Sequence, residues 1–149
     1  MTKVYAPMTG KVIPIDEVPD PVFAQKMMGD GVAIVPTEEV VVAPCDGLVI
    51  HVFPTKHAVG LLTKEGEEIL IHIGLETVNL KGKGFEAFVK ENEAVKQGQE
   101  LIKVNLKYVK KYAKSLVTPI VITNMDKVNS LSFHYEEVTK GKDIIMEIG

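Results

Sequence analysis

The chain has 149 residues, 46% hydrophobic and 25% charged, enough to bury the core of one globular domain. All 17 of its basic residues are lysine, set against 20 acidic ones for a formal charge of -3, so no guanidinium fork is available and a nucleic-acid partner held by phosphate neutralisation is excluded. Cys45 is the only cysteine, which rules out an intrachain disulfide and a multi-cysteine zinc site.

The N-terminus lacks a signal-like apolar run, and no stretch approaches the ~18 consecutive apolar residues of a membrane span, so a single cytoplasmic domain over residues 1–149 is expected. Glycines and prolines cut the chain into short runs rich in Val and Ile. Strands are predicted over residues 11–15, 31–35, 40–43, 47–53, 67–73, 100–104, 119–123 and 143–148, the pattern of an all-β sandwich or barrel. Helical spacing is confined to Phe85, Phe88 and Val89 and to Leu106, Val109 and Ala113, so at most two short helices are expected. Lys107, Lys110, Lys111 and Lys114 fall on one face of the second, where a solvated side is the ordinary reading of such a run.

The segment Ala6-Pro7-Met8-Thr9-Gly10-Lys11-Val12-Ile13 recurs as Ala43-Pro44-Cys45-Asp46-Gly47-Leu48-Val49-Ile50. Each copy is a turn that launches a strand, with glycine for the turn and β-branched residues for the pleated surface.

Chemistry concentrates around His72. Strand alternation sets Ile69, Ile71 and Ile73 toward the core and Leu70, His72 and Gly74 on the opposite face. His57 follows Phe53-Pro54-Thr55-Lys56 at a strand end or loop, and two strands joined by a connection of this length can bring the two histidines together. A histidine pair offers a nucleophilic ring nitrogen with a second ring as donor, or two nitrogen ligands for zinc. His51 and His134 read as surface residues, and Cys45, in a turn without a partner, as structural. No glycine-rich phosphate loop is present.

Eight segments together resemble the glucose-type enzyme IIA of the bacterial phosphoenolpyruvate-dependent sugar phosphotransferase system. They are Ala6-Pro7-Met8-Thr9-Gly10, Val18-Pro19-Asp20-Pro21-Val22-Phe23-Ala24, Met28-Gly29-Asp30-Gly31-Val32-Ala33-Ile34, Val42-Ala43-Pro44-Cys45-Asp46-Gly47, Thr55-Lys56-His57-Ala58, Ile71-His72-Ile73-Gly74-Leu75-Glu76-Thr77-Val78, Leu80-Lys81-Gly82-Lys83-Gly84-Phe85, and Thr118-Pro119-Ile120-Val121-Ile122-Thr123-Asn124-Met125-Asp126. They span almost the whole chain in order.

The resemblance implies a compact antiparallel β-sandwich, monomeric and cytoplasmic, that carries a phosphoryl group. His72 would accept it from the histidine-containing phosphocarrier protein and pass it to a cysteine of the enzyme IIB domain of a sugar permease. His57 would support onward transfer, and Thr55 would orient His57. Val22, Phe23, Met28, Phe53, Leu70, Ile73 and Val78 match the family's exposed docking patch, although alternation sets Ile73 inward. Asp20 and Glu76 match flanking acidic positions whose charge is expected to repel the phosphoryl group; Glu76 stands where the family often has aspartate. The resemblance calls for no metal in transfer, with zinc at His57 and His72 confined to regulatory complexes. With no extended segment before Val4, the membrane association of such tails in some relatives is not expected.

Two other readings have weaker support. A zinc hydrolase of the lysostaphin type would need a His-x-His element, where this chain has Ile71-His72-Ile73. A biotinyl or lipoyl carrier is suggested by Ala6-Pro7-Met8-Thr9-Gly10 and by residues 95–101, but the modified-lysine hairpin is missing.

Overall fold

A computed structural model describes residues 1–149. In chain order the strands are β1 (Thr2–Tyr5), β2 (Gly10–Pro14), β3 (Asp30–Pro36), β4 (Val40–Val42), β5 (Gly47–Val52), β6 (Ala58–Thr63), β7 (Glu68–His72), β8 (Phe85–Ala87), β9 (Ala94–Val95), β10 (Glu100–Val104), β11 (Thr118–Ile122), β12 (Leu131–Phe133), β13 (Glu137–Val138) and β14 (Ile144–Ile148). Two short α-helices, α1 (Pro21–Ala24) between β2 and β3 and α2 (Leu106–Tyr112) after β10, and three 3-10 turns at Ile15–Glu17, Thr77–Leu80 and Met125–Lys127 complete the set; Asn105 caps α2, its side chain accepting from the Tyr108 N–H at 3.1 Å. The architecture is the all-β, antiparallel one expected. The residues around Phe85 form β8 instead of a helical turn, paired with β10 from Phe85 opposite Val104 to Ala87 opposite Ile102.

An eight-stranded sheet runs in the order β13-β2-β3-β11-β7-β6-β5-β9, and two three-stranded sheets run β1-β14-β12 and β4-β10-β8. These orders have the symmetry of a twofold axis between β7 and β11, where Ile71 lies opposite Ile120. The repeated turns of the sequence meet reciprocally. Tyr5 donates to the Pro44 carbonyl and Val42 donates to the Pro7 carbonyl, both at 2.8 Å. The same relation continues where the sequence reading did not follow it: Gly141 donates to Ala6 and Gly98 to Ala43, within the related segments Val138-Thr139-Lys140-Gly141 and Val95-Lys96-Gln97-Gly98.

The central strands are covered on both faces. Ile69, Ile71, Ile73, Ile120 and Ile122 join the main core, while Leu70 and Val121 join a smaller cluster with Ile15, Val18, Phe23 and Leu75. Alternation therefore splits one strand between two apolar layers.

Candidate functional site

The smaller cluster is the floor of the site. Two connections occupying equivalent places in the repeat converge above the axis, residues 15–29 carrying α1 and residues 53–57 carrying Thr55 and His57. Asp20 caps α1 by accepting from the Val22 N–H at 2.9 Å, and Pro21 stands at the helix start, where its missing N–H costs nothing. This fixes Phe23 against the end of β7, its ring 5.1 Å from that of His72.

His72 is the last residue of β7 and pairs with Ala58, the first of β6. The ladder continues one step through the Ile73 N–H, which donates to the His57 carbonyl at 2.7 Å. The two imidazoles come together with centroids 5.0 Å apart and planes at 79°, and Phe53 closes over His57 at 5.4 Å.

Hydrogen bonding assigns the ring nitrogens. His72 Nδ1 lies 2.8 Å from the Gly74 carbonyl oxygen, and because a carbonyl only accepts, Nδ1 carries the proton and Nε2 the free lone pair. His57 Nδ1 lies 2.5 Å from Thr55 Oγ1, so the hydroxyl fixes the ring and can give Nδ1 its proton, leaving Nε2–H as a donor. Burial lowers the pKa of His72, opposed by the Gly74 carbonyl and the charge of Asp20. His57, only 4% exposed, is pushed down to about 4 by burial and then by the neighbouring His72. Both rings are neutral at pH 7.

Of the predicted docking residues, Val22, Met28, Phe53 and Val78 are exposed, and Met27, which the sequence reading passed over, is 69% exposed beside them. Phe23, Leu70 and Ile73 are buried. Phe23 and Leu70 pack in the floor because α1 folds back over β7, and Ile73 belongs to the main core, as alternation required. Of the two flanking acids, Asp20 acts electrostatically on His72, whereas Glu76 turns to solvent at a left-handed position, φ +58°.

His51 and His134 are exposed, and Cys45 is buried, its thiol pushed up to about 12 chiefly by burial. No group of three or more His, Cys, Asp or Glu gathers anywhere in the chain, so the pair supplies two nitrogen donors and no third ligand of its own. No helix is long and apolar enough to cross a membrane.

Comparison with known proteins points the same way. Residues 2–128 match the family model for the phosphoenolpyruvate-dependent sugar phosphotransferase system, EIIA 1. The chain is 54% identical over 146 residues to the PTS system glucose-specific EIIA component of Bacillus cereus, covering 97% of this chain and 88% of that one. It is also 54% identical over 143 residues to the PTS system glucose-specific EIICBA component of Staphylococcus carnosus, spanning 21% of that longer protein. The solved glucose permease IIA from Mycoplasma capricolum superposes with a TM-score of 0.90 at 43% identity, covering 97% of this chain and 94% of that one. An antiparallel fold with paired histidines at its axis and matches along nearly its whole length make this chain a member of the EIIA 1 family of the sugar phosphotransferase system.

Proposed function

We propose that the chain accepts a phosphoryl group on Nε2 of His72 from the histidine-containing phosphocarrier protein. It then passes the group to a cysteine of the enzyme IIB domain of a sugar permease. The observation that carries this reading is the bond from His72 Nδ1 to the Gly74 carbonyl at 2.8 Å, which leaves a neutral ring with its lone pair on Nε2. Nε2 attacks phosphorus as the donor's P–N bond breaks and returns its electron pair to the donor ring. The proton stays on Nδ1, hydrogen-bonded to the Gly74 carbonyl, so no separate base is required. Onward transfer reverses this for a thiolate: the S–P bond forms as the His72 N–P bond breaks.

His57, held by Thr55, donates from Nε2 to a phosphoryl oxygen and supports the second transfer without adding a full charge. Asp20 opposes the dianion and keeps the group transferable; Glu76, matching the other acidic position, adds to that field from solvent. Val22, Met27, Met28, Phe53 and Val78 form the docking patch, where apolar and flexible contacts suit several partners met in turn by a cytoplasmic monomer. Transfer requires no cofactor. Zinc at His57 and His72 would need a partner to complete its coordination.

The glucoside-specific EIICBA component of S. carnosus is 52% identical to this chain, almost as similar as the glucose-specific one. Choice of sugar therefore belongs to the permease.

Incubation with phosphoenolpyruvate, enzyme I and the phosphocarrier protein, followed by mass spectrometry, locates the acid-labile phosphate. His72→Gln is expected to abolish labelling, and His57→Gln to accept phosphate but transfer it poorly; undiminished labelling of His72→Gln sinks the assignment. Asp20→Asn, which keeps an oxygen for capping α1, is expected to move the exchange equilibrium toward the phosphorylated chain. An unchanged constant removes Asp20 from the account.

A further inference from the structure

The turn that follows His72 is clamped more heavily than a surface turn requires. The Ile73–Gly74 peptide is held at both ends by threonine hydroxyls from different parts of the chain. Thr77 Oγ1 donates to the Ile73 carbonyl at 2.6 Å, and the Gly74 N–H donates to Thr118 Oγ1 at 3.3 Å. Both threonines are 0% exposed. Thr118 spends its own proton on the Leu116 carbonyl at 3.0 Å, so toward Gly74 it can only accept.

The next peptide is held as well. The Gly74 carbonyl receives His72 Nδ1–H, and the Leu75 N–H donates to the Ser115 carbonyl at 2.9 Å. Gly74 itself has φ +73°, which turns its carbonyl back toward the ring two residues earlier. A β-carbon there would come within 2.6 Å of Thr77 Cγ2 and 2.9 Å of the Ser115 oxygen.

Thr118 takes over where main-chain pairing stops. The last β7–β11 pair is Ile71 opposite Ile120, and the next residue of β11 is Pro119, which has no N–H to donate. Beyond that point a side-chain oxygen from β11 holds the turn.

We propose that Thr77 and Thr118 are positioning residues for phosphoryl transfer. By fixing the Ile73–Gly74 peptide, they hold the Gly74 carbonyl on His72 Nδ1 and so keep Nε2 unprotonated and aimed outward. Histidine in water prefers its proton on Nε2, the tautomer that cannot attack phosphorus through that nitrogen. The clamp thus selects the minority tautomer by occupying the opposite nitrogen. The kinetic consequence rests on His72 being the acceptor; the tautomer does not.

The test uses Thr77→Val and Thr118→Val, which keep shape and lose the hydroxyl, with Thr77→Ser and Thr118→Ser as restorations. Long-range proton–nitrogen NMR of the full chain at pH 7 reads which nitrogen of His72 bears the proton. The wild type and both serine variants are expected to show Nδ1–H. Each valine variant is expected to show a measurable Nε2–H population and phosphorylation slowed roughly tenfold, as for other lost supporting bonds. Folded valine variants with the wild-type His72 nitrogen shifts overturn the proposal. Should one valine variant not fold, the other decides. Loss of labelling in His72→Gln is scored separately, so failure of the carrier reading leaves the tautomer result standing on its own.

Discussion

At the scale of the residue, the burial of His57 ties stability to pH. Its folded pKa of about 4 lies below the ordinary value of 6.5, because burial and the nearby His72 disfavour the cation. The unfolded chain therefore binds a proton at His57 in a pH range where the folded chain does not. Its contribution to stability is fully present above pH 6.5 and declines as pH falls toward 4. Denaturant melts at pH 7 and 4.5 are expected to show a loss of about 2 kcal/mol attributable to this group. His57→Gln has no proton to gain and should lose correspondingly less over the same interval. Parallel pH profiles for the two proteins contradict the assignment.

The placement of residues near His72 was largely legible. Alternation sends Ile69, Ile71 and Ile73 to the main core and Leu70 to the other layer, and the short connection from β6 to β7 allows His57 to meet His72. The clamp was not legible, because nothing local says that Thr118 will face Gly74 from another strand.

At the scale of the element, β8 shows how weak a short periodicity is. Phe85, Phe88 and Val89 fit a helical turn, but five residues also fit a strand. Burial falls on Phe85 and Val89 while Phe88 stays exposed. The unpaired edge of β10 settles the choice, since ladder bonds with it satisfy main-chain groups that an isolated helical turn would leave open. The second helical pattern had no such competitor and became α2, with Lys107, Lys110, Lys111 and Lys114 all in solvent.

Close backbone approach appears most clearly at Gly31 in β3. An added β-carbon would overlap the Ile120 carbonyl in β11, and neither strand can yield because each is paired on both sides. Gly31→Ala is expected to cost about 3 kcal/mol, at the upper end for overpacking a core, and a midpoint in urea within error of wild type refutes this.

At the scale of the whole molecule, the twofold arrangement puts the histidine pair where two related connections meet, but only one half supplies both rings. The other half supplies α1, whose Phe23 is floor and whose Val22 is rim. Substitution on the rim should separate docking from chemistry. Val78→Glu, at a side chain 51% exposed, is expected to leave stability within about 0.5 kcal/mol of wild type while raising several-fold the concentration of phosphocarrier protein needed for half-maximal phosphorylation. An unchanged requirement removes Val78 from the docking surface.

The sequence by itself determined the β-rich class, the turns that launch its repeated strands, and the division of β7 into one face carrying Ile69, Ile71 and Ile73 and another carrying Leu70 and His72. Each follows from local periodicity and turn residues. Only the tertiary structure decided that Phe23 and Leu70 are floor while Met27 is rim, that residues 85–87 pair as a strand, and that two buried threonines clamp the turn beside His72. Those outcomes depend on which distant strands lie opposite, and burial and hydrogen-bond partnership across that distance have no signature in any short window of sequence.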